Sequence, residues 1–295
     1  MRREFQVHKI LNWLYTSSLR NVLRKCGIIN IFKFINNLQT SNLYFEYEKS
    51  HPKFFQAQIG SHESSFLIAD KKEYARAASV NNDKQIIQFL INKIKPGDCF
   101  WDIGASVGFY TAFIAKAVGG NGKVIAFEPE IKSFNRLLQN IENNKLKNVY
   151  PYKVALGNAQ AKEKLVISGH YSSGAHSLIA QNHNKKSRNV EYEEVEVFRG
   201  DDFLLQQNID LPTVIKIDVE GAEEEVLKGL SNILKDKKCV LVICEVHFSI
   251  LESSGHGDTP KKIQRFLNDN GFVKQQWLDY SHLAALKDNL RINSV

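Results

Sequence analysis

Val214-Ile-Lys-Ile-Asp-Val-Glu-Gly-Ala-Glu223 is the most chemically loaded stretch of the chain. Alternation along a strand puts Val214, Lys216, Asp218 and Glu220 on one side and Ile215 and Ile217 on the other. A lysine and two carboxylates at the carboxyl end of a central strand sit where open α/β sheets bind their ligands. A surface ion pair is the simpler alternative, but the flanking residues read as interior strand, where an idle charge is costly. Glu245 and His247 end the next apolar run and share a face with Leu241 and Ile243. If the two strands are neighbours, Asp218, Glu220, Glu245 and His247 converge on one mouth. Carboxylates with one imidazole suit general-base work or a weakly held divalent cation. No metal site is predicted, because carboxylate clusters without a recognisable ligand motif are often metal-free.

Asp102-Ile-Gly-Ala-Ser-Val-Gly-Phe-Tyr110 marks a glycine turn between a strand and a helix. Glycine at 104 permits a tight turn and leaves room for a ligand against the main chain. A dinucleotide fingerprint would read Gly-x-Gly-x-x-Gly, but the corresponding positions are Gly104, Ser106 and Phe109. The pyrophosphate site fails, whereas a nucleoside without a diphosphate fits. Glu128 follows the second strand, 24 residues after Gly104. An acid there can accept hydrogen bonds from both ribose hydroxyls. Its bland alternative is an acid complementing a helix dipole, and the glycine turn upstream favours the ribose role.

These groups need a scaffold, and the pattern from residue 98 onward supplies one. Strands are predicted at Cys99–Ile103, Lys123–Phe127, Val149–Leu156, Val214–Ile217 and Cys239–Cys244. Helices are predicted over Ser106–Val118, around Ile131–Ile141 and over Ala222–Leu234. Such alternation implies right-handed crossovers and a doubly wound parallel sheet with helices on both faces. Residues 160–200 interrupt it with two partners of an antiparallel ribbon, Glu163–Ile167 and Glu191–Phe198. A helix near Lys261–Leu267 and two short strands near Phe272–Trp277 and His282–Leu286 finish the chain. Residues 41–84 form a weakly patterned, aromatic-rich lead-in, and Ile86–Ile91 suggests a helix before Pro96.

Composition narrows the class further. With 43% apolar and 24% charged residues among 295, the chain reads as globular, and no apolar run approaches the ~20 residues of a membrane span. The start lacks a secretory signal, and four scattered cysteines without a Cys-x-x-Cys pair read as reduced thiols, so a cytoplasmic location is expected. Net charge is +7, but residues 1–36 carry seven Lys/Arg against Glu4 alone, leaving the other 259 residues at only +1. A nucleic-acid binder would spread its basicity, so no nucleic-acid partner is expected. The basic residues belong to an amphipathic helical arm at residues 1–40. The arm either packs on the body of the protein or, through residues 1–36, makes peripheral contact with an anionic inner-membrane surface.

In order along the chain, Asp102–Thr111, Val124-Ile-Ala-Phe-Glu-Pro129, Val154-Ala-Leu-Gly157, Ser177-Leu178, Ile215–Glu223 and Glu245-Val-His247 resemble the FkbM-type family of S-adenosylmethionine-dependent methyltransferases. The resemblance spans roughly residues 85–280 and leaves the arm outside. It implies an α/β, class I methyltransferase (Rossmann-like) fold over 85–295, with a seven-stranded sheet whose last strand is antiparallel and an N-terminal helical extension. S-adenosyl-L-methionine is the implied cofactor. By the resemblance its binding residues are Asp102, Gly104, Ala105, Ser106, Gly108, Phe109, Tyr110 and Glu128, with Ala155 and Leu156 flanking the adenine. Ser106 stands where the family usually carries Asn, and His176 where a small residue is common. The implied reaction is O-methylation of a hydroxyl on a sugar, glycan or secondary metabolite. Asp218 and His247 are the candidate bases, Glu220 is a supporting acceptor, and Lys216 tunes Asp218 or orients the acceptor. The competing readings are a nicotinamide-linked oxidoreductase and a non-catalytic, membrane-associated binding module.

Overall fold

The strands that alternation predicts are the centre of the computed structural model, which describes residues 41–78, 80–167, 176–178 and 191–288. The predicted arm and most of the 168–190 loop lie outside the described residues. Residues 41–50 are helical (α1) and precede a hairpin of β1 (Phe54–Ile59) and β2 (His62–Leu67). Then come α2 (Lys71–Ala78), α3 (Val80–Lys93), β3 (Cys99–Ile103), α4 (Phe109–Val118), β4 (Lys123–Phe127), α5 (Ile131–Asn143) and β5 (Val149–Tyr152). An inserted sheet follows, made of β6 (Ala155–Gly157), β7 (Ala161–Ile167), β8 (His176–Leu178) and β9 (Glu191–Arg199). The chain continues through α6 (Gly200–Gln207), β10 (Val214–Ile217), α7 (Glu223–Gly229), α8 (Ser231–Lys235) and β11 (Leu241–Glu245). It closes with α9 (Phe248–Ser253), α10 (Thr259–Asp269), β12 (Lys274–Trp277) and β13 (His282–Leu286).

The main sheet has seven strands in the order β12-β13-β11-β10-β3-β4-β5. β11, β10, β3, β4 and β5 run parallel, and β13 is antiparallel to both β11 and β12. The last strand in the chain is therefore the reversed one, and it lies one place in from the edge. Strand order reverses between β3 and β10, which opens a crevice at their carboxyl ends.

Side chains leave the sheet on alternate faces and build two cores. Phe100, Val124, Val214 and Ile243 enter one core with α3, α4 and the hairpin. Trp101, Ile125, Ile215 and Val242 enter the other, with Phe203, Val226 and Ile263 from α6, α7 and α10. α4 is buried at nearly every position because it lies between the sheet and the hairpin. Phe66 of β2 packs on Phe109 and Phe113 of α4, with ring centroids 4.2 and 6.1 Å away. The lead-in thus shares the main core.

Three predicted elements differ in detail, each for a local reason. The run Val149–Leu156 divides, because β5 pairs with β4 whereas β6 leaves to pair in parallel with β9. The helix predicted from Ser106 starts at Phe109, because Ser106 (φ 50°) and Gly108 (φ 91°) are left-handed. The helix predicted over Ala222–Leu234 splits at Leu230. Gly229 sits so close to β6 that an added Cβ would lie 1.9 Å from the Gly157 carbonyl oxygen.

Phe66→Ala is expected to cost ~3–5 kcal/mol, as for other buried Phe truncations, while unfolding stays a single urea transition. A separate early transition for the variant would show that the lead-in is an independent unit.

Candidate active site

Two turns set the floor of the crevice. After β3, Gly104 adopts φ 78°, and an added Cβ would lie 1.8 Å from the Asp218 carbonyl oxygen, so only glycine fits against the β10 turn. The Gly104 and Ala105 amides donate to the Phe127 carbonyl at 3.0 and 2.9 Å, and the Asp218 amide donates to Ile103 at 3.0 Å. β3, β4 and β10 are thereby locked together where they end.

Lys216 is the bolt through this junction. Register places it beside Asp102, and the residue is 2% exposed. Its Nζ donates to the Gly104 carbonyl at 2.8 Å and lies 3.3 Å from both Asp102 Oδ1 and Asp218 Oδ2. It also rests 4.9 Å from the centre of the Tyr110 ring. Burial alone would lower its pKa, but the charges of Asp102, Asp218 and Glu245 outweigh that and raise it. Asp102, fully buried, accepts a second bond from Thr111 Oγ1 at 2.6 Å.

Glu128 forms one wall of the cleft. The Ser106 amide donates to its Oε2 at 2.8 Å and the Glu130 amide to its Oε1 at 2.9 Å. Each carboxylate oxygen is thus anchored once and keeps lone-pair capacity for a ligand. Burial raises the Glu128 pKa to about 7, against those two backbone bonds. The helix-capping role that competes for Glu128 belongs to Glu130, whose side chain accepts from the Lys132 and Ser133 amides of α5. Ser106 Oγ is buried beside it with no hydrogen-bond partner among the described residues. A left-handed residue there is easier for Asn than for Ser, which accounts for the cost of this chain's departure.

The opposite wall carries the imidazole. His247 lies beyond β11, at the start of α9, rather than within a strand. Its Nδ1 pairs with Glu223 Oε1 at 2.6 Å, and its Nε2 lies 3.5 Å from Glu220, 3.6 Å from Asp218 and 4.0 Å from Glu245. Burial would lower the His247 pKa, but the Glu223 bond and the Asp218, Glu223 and Glu220 charges raise it to about 10. Burial pushes Glu220 up to about 7 against the pull of His247. Behind Glu245 stands His282, 3.4 Å from Oε2, with its own Nδ1 held by Asp279 at 2.8 Å. The His282 bond and charge hold Glu245 well below the ordinary carboxylate range despite its burial.

Between these walls lies a cavity of about 210 Å³. Of the residues expected at the site, Gly104, Ser106, Glu128, Ala155, Leu156, Asp218, Glu220 and His247 line it. Asp102, Ala105, Gly108, Phe109, Tyr110 and Lys216 do not. Asp102 and Lys216 are consumed by their mutual pairing, Ala105, Phe109 and Tyr110 are buried in the core, and Gly108 begins α4. The structure adds Arg76 and Asp83 from the lead-in helices, Ser133 from α5, and Tyr280 from the β12–β13 turn. It also adds Glu223, behind His247. Glu223 closes the Ile215–Glu223 run, where sequence reasoning assigned it no role of its own, and Arg76 and Asp83 sit in segments without a motif.

The reversed β13, the crevice at the strand switch and an acid at the end of β4 together define a class I methyltransferase. The methyltransferase FkbM domain matches over residues 102–274, more than half of the chain, and the protein belongs to that family of S-adenosylmethionine-dependent methyltransferases. It is 24% identical to the hexuronic acid methyltransferase AglP of Haloferax volcanii over 72% of this chain and 79% of that one. It is also 27% identical to Methyltransferase 1 of Beauveria bassiana over 60% of this chain and 74% of that one. Precorrin-6y C5,15-methyltransferase of Geobacter metallireducens superposes over 78% of this chain and 94% of its own, with 14% identity and a TM-score of 0.40. The family membership settles the choice of cofactor class against a nicotinamide. No helix among the described residues is long and apolar enough to cross a membrane.

Lys216→Met leaves two carboxylates facing each other and is expected to cost ~3–5 kcal/mol in urea unfolding. Lys216→Met/Asp102→Asn should recover part of that loss. Strict additivity of the two substitutions would contradict the buried pairing.

Proposed function

We propose that the protein transfers a methyl group from S-adenosylmethionine to a hydroxyl of a sugar or glycan. The observation that carries this reading is the division of one cleft into two chemically distinct halves. One half holds the Gly104 turn, Ser106, Glu128 and the apolar Phe127, Val154 and Leu156. The other holds Asp218, Glu220, Glu245 and His247, together with Arg76, Asp83 and Tyr280.

The first half fits the cofactor. Glu128 offers both oxygens to a pair of ribose hydroxyls, the buried Ser106 hydroxyl and the Gly104 main chain face the methionine portion, and Ala155 and Leu156 flank the adenine. The absent Cβ at Gly104 keeps the turn closed on β10, so that both halves stay in register. Bound there, the cofactor supplies a methyl already activated on sulfur. The chain's own task is to align an acceptor oxygen and to take up its proton.

The second half suits a polyol. Asp218, Glu220 and Glu245 are acceptors for hydroxyl groups, and Arg76 and Asp83 add a guanidinium donor and a further carboxylate acceptor to the lining. Asp218 stands at the junction of the halves and is the proton acceptor in this reading, with Glu220 and Glu245 supporting it. Lys216 positions Asp218 from behind. His247, held by Glu223, orients the carboxylates. The relationship to a hexuronic acid methyltransferase supports a saccharide acceptor. A cytoplasmic protein acting on soluble or membrane-surface glycans agrees with the basic arm.

Asp218→Asn is expected to lower turnover by ~10²–10⁴ while cofactor affinity, measured calorimetrically, changes less than about threefold. Equal loss of both would move Asp218 into the cofactor shell. Affinity for the cofactor should also follow the ionisation of Glu128. Ribose hydroxyls donate to the carboxylate form, so affinity is full above about 7 and falls as pH drops below it. Glu128→Gln should bind weakly and without that pH dependence; an unchanged pH profile in the variant would remove Glu128 from the ribose site.

A further inference from the structure

Imidazole nitrogens in folded proteins ordinarily find partners at 2.7–3.2 Å. His247 does so on one side only. Its Nδ1 is held at 2.6 Å by Glu223, a residue with 0% exposure whose Oε1 also accepts the Gly221 amide at 2.8 Å. Its Nε2 faces Glu220 Oε2 at 3.5 Å, Asp218 Oδ1 at 3.6 Å and Glu245 Oε1 at 4.0 Å. The ring is fixed from behind, and its other nitrogen looks into a space bounded by carboxylate oxygens that stand too far off to bond it well.

The Glu220 and Asp218 separations, 3.5 and 3.6 Å, are of the size an ion between the groups would set. Donors about 2.1–2.2 Å from one centre and 90–110° apart lie roughly 3.0–3.6 Å from each other. One donor atom each from Asp218, Glu220 and His247 falls within 4.8 Å of the others, so the three face one common space. A buried carboxylate on the far ring nitrogen is how metal-binding histidines are aimed and made more basic. Glu245 Oε2 faces His282 at 3.4 Å, and its Oε1, which accepts from Ser281 Oγ at 3.3 Å, keeps lone-pair capacity 4.0 Å from His247 Nε2. All four side chains line the cleft, so an ion can enter and an acceptor oxygen can reach it.

We propose that Asp218, Glu220 and His247, backed by Glu223, form a divalent-cation site at the acceptor end of the cleft. Two or three carboxylate oxygens with a single imidazole suit Mn²⁺ better than the all-oxygen cages of Ca²⁺ or the thiolate sites of Zn²⁺. A cation there takes the acceptor oxygen as a further ligand and polarises it, and Glu245, at the margin of the triad, is left to complete the shell. The ligand side chains differ from those assigned to the cofactor, so cation binding and cofactor binding can be measured separately.

The test is direct binding to the full-length, metal-free protein without methyl donor. MnCl₂ is titrated in while free Mn²⁺ is followed by electron paramagnetic resonance and heat by calorimetry. One saturable equivalent with a Kd below ~100 µM is expected, within the range of carboxylate-rich cation sites. Asp218→Asn and His247→Ala should each weaken it at least tenfold. Glu223→Gln, which leaves every ligand in place, should weaken it about 10- to 100-fold, and Asp258→Asn, at a distant exposed acid, should not. Glu220→Gln keeps the test open if Asp218→Asn does not fold, as judged by circular dichroism. Absence of saturable binding at 1 mM (about ten times the upper Kd limit) overturns the proposal, as does binding of equal strength in wild type and His247→Ala. Cofactor titrations of the same samples separate the two readings: cofactor binding without Mn²⁺ binding removes the cation site alone.

Discussion

The Lys216 ammonium is the interaction on which the rest of the site depends. A single buried cation reaches the Gly104 carbonyl, Asp102 and Asp218, and so ties the turn after β3 to the end of β10. That junction is also the strand switch of the sheet, where the crevice opens. Burying a lysine is costly by itself. Here the cost is met by two carboxylates, a main-chain oxygen and an aromatic face, and without it the buried Asp102 Oδ1 would be left unpaired. The mutual dependence leaves few alternative arrangements of the two turns. Cofactor wall and acceptor wall are consequently held at one fixed separation.

Around that bolt the cleft divides by charge. The Glu128 wall is an apolar slot with one anchored carboxylate, suited to a nucleoside. The opposite wall packs acidic groups around two imidazoles, His247 and His282, each secured from behind by its own carboxylate, Glu223 or Asp279. Carboxylates drawn this close repel one another unless something positive stands among them. Protonated imidazoles supply that charge in the protein as described, and a divalent cation would supply it more completely. The same concentration of negative charge complements the sulfonium of the methyl donor.

Much of this was legible in the sequence because strand ends impose order. Gly104, Glu128, Asp218 and Glu245 each close a short apolar run, and a doubly wound sheet brings such ends to one edge whatever the loops between them do. Alternation also put Lys216 with Asp218, but it could not show that Lys216 and Asp102 face inward and spend themselves on each other. That follows from register, since the two are lateral neighbours across β3 and β10. Ala105, Phe109 and Tyr110 were drawn in by adjacency to the glycine turn, whereas the left-handed residues at 106 and 108 turn the chain into the core. Arg76, Asp83 and Tyr280 escaped notice because they reach the cleft through tertiary packing of the lead-in and the β12–β13 turn, where no motif announces them. The arm at residues 1–40 is distinct in charge and lies outside the described residues.

In this reading the crevice between the Gly104 turn and Glu128 receives the methyl donor, leaving the acidic wall for the acceptor. A crystal structure of the protein with S-adenosylhomocysteine tests it most directly. The expected complex has the ribose hydroxyls on the Glu128 carboxylate, the adenine against Phe127 and Leu156, and the sulfur turned toward Asp218. A ligand seated among Glu220, Glu245 and His247 instead, with Glu128 untouched, would contradict the account.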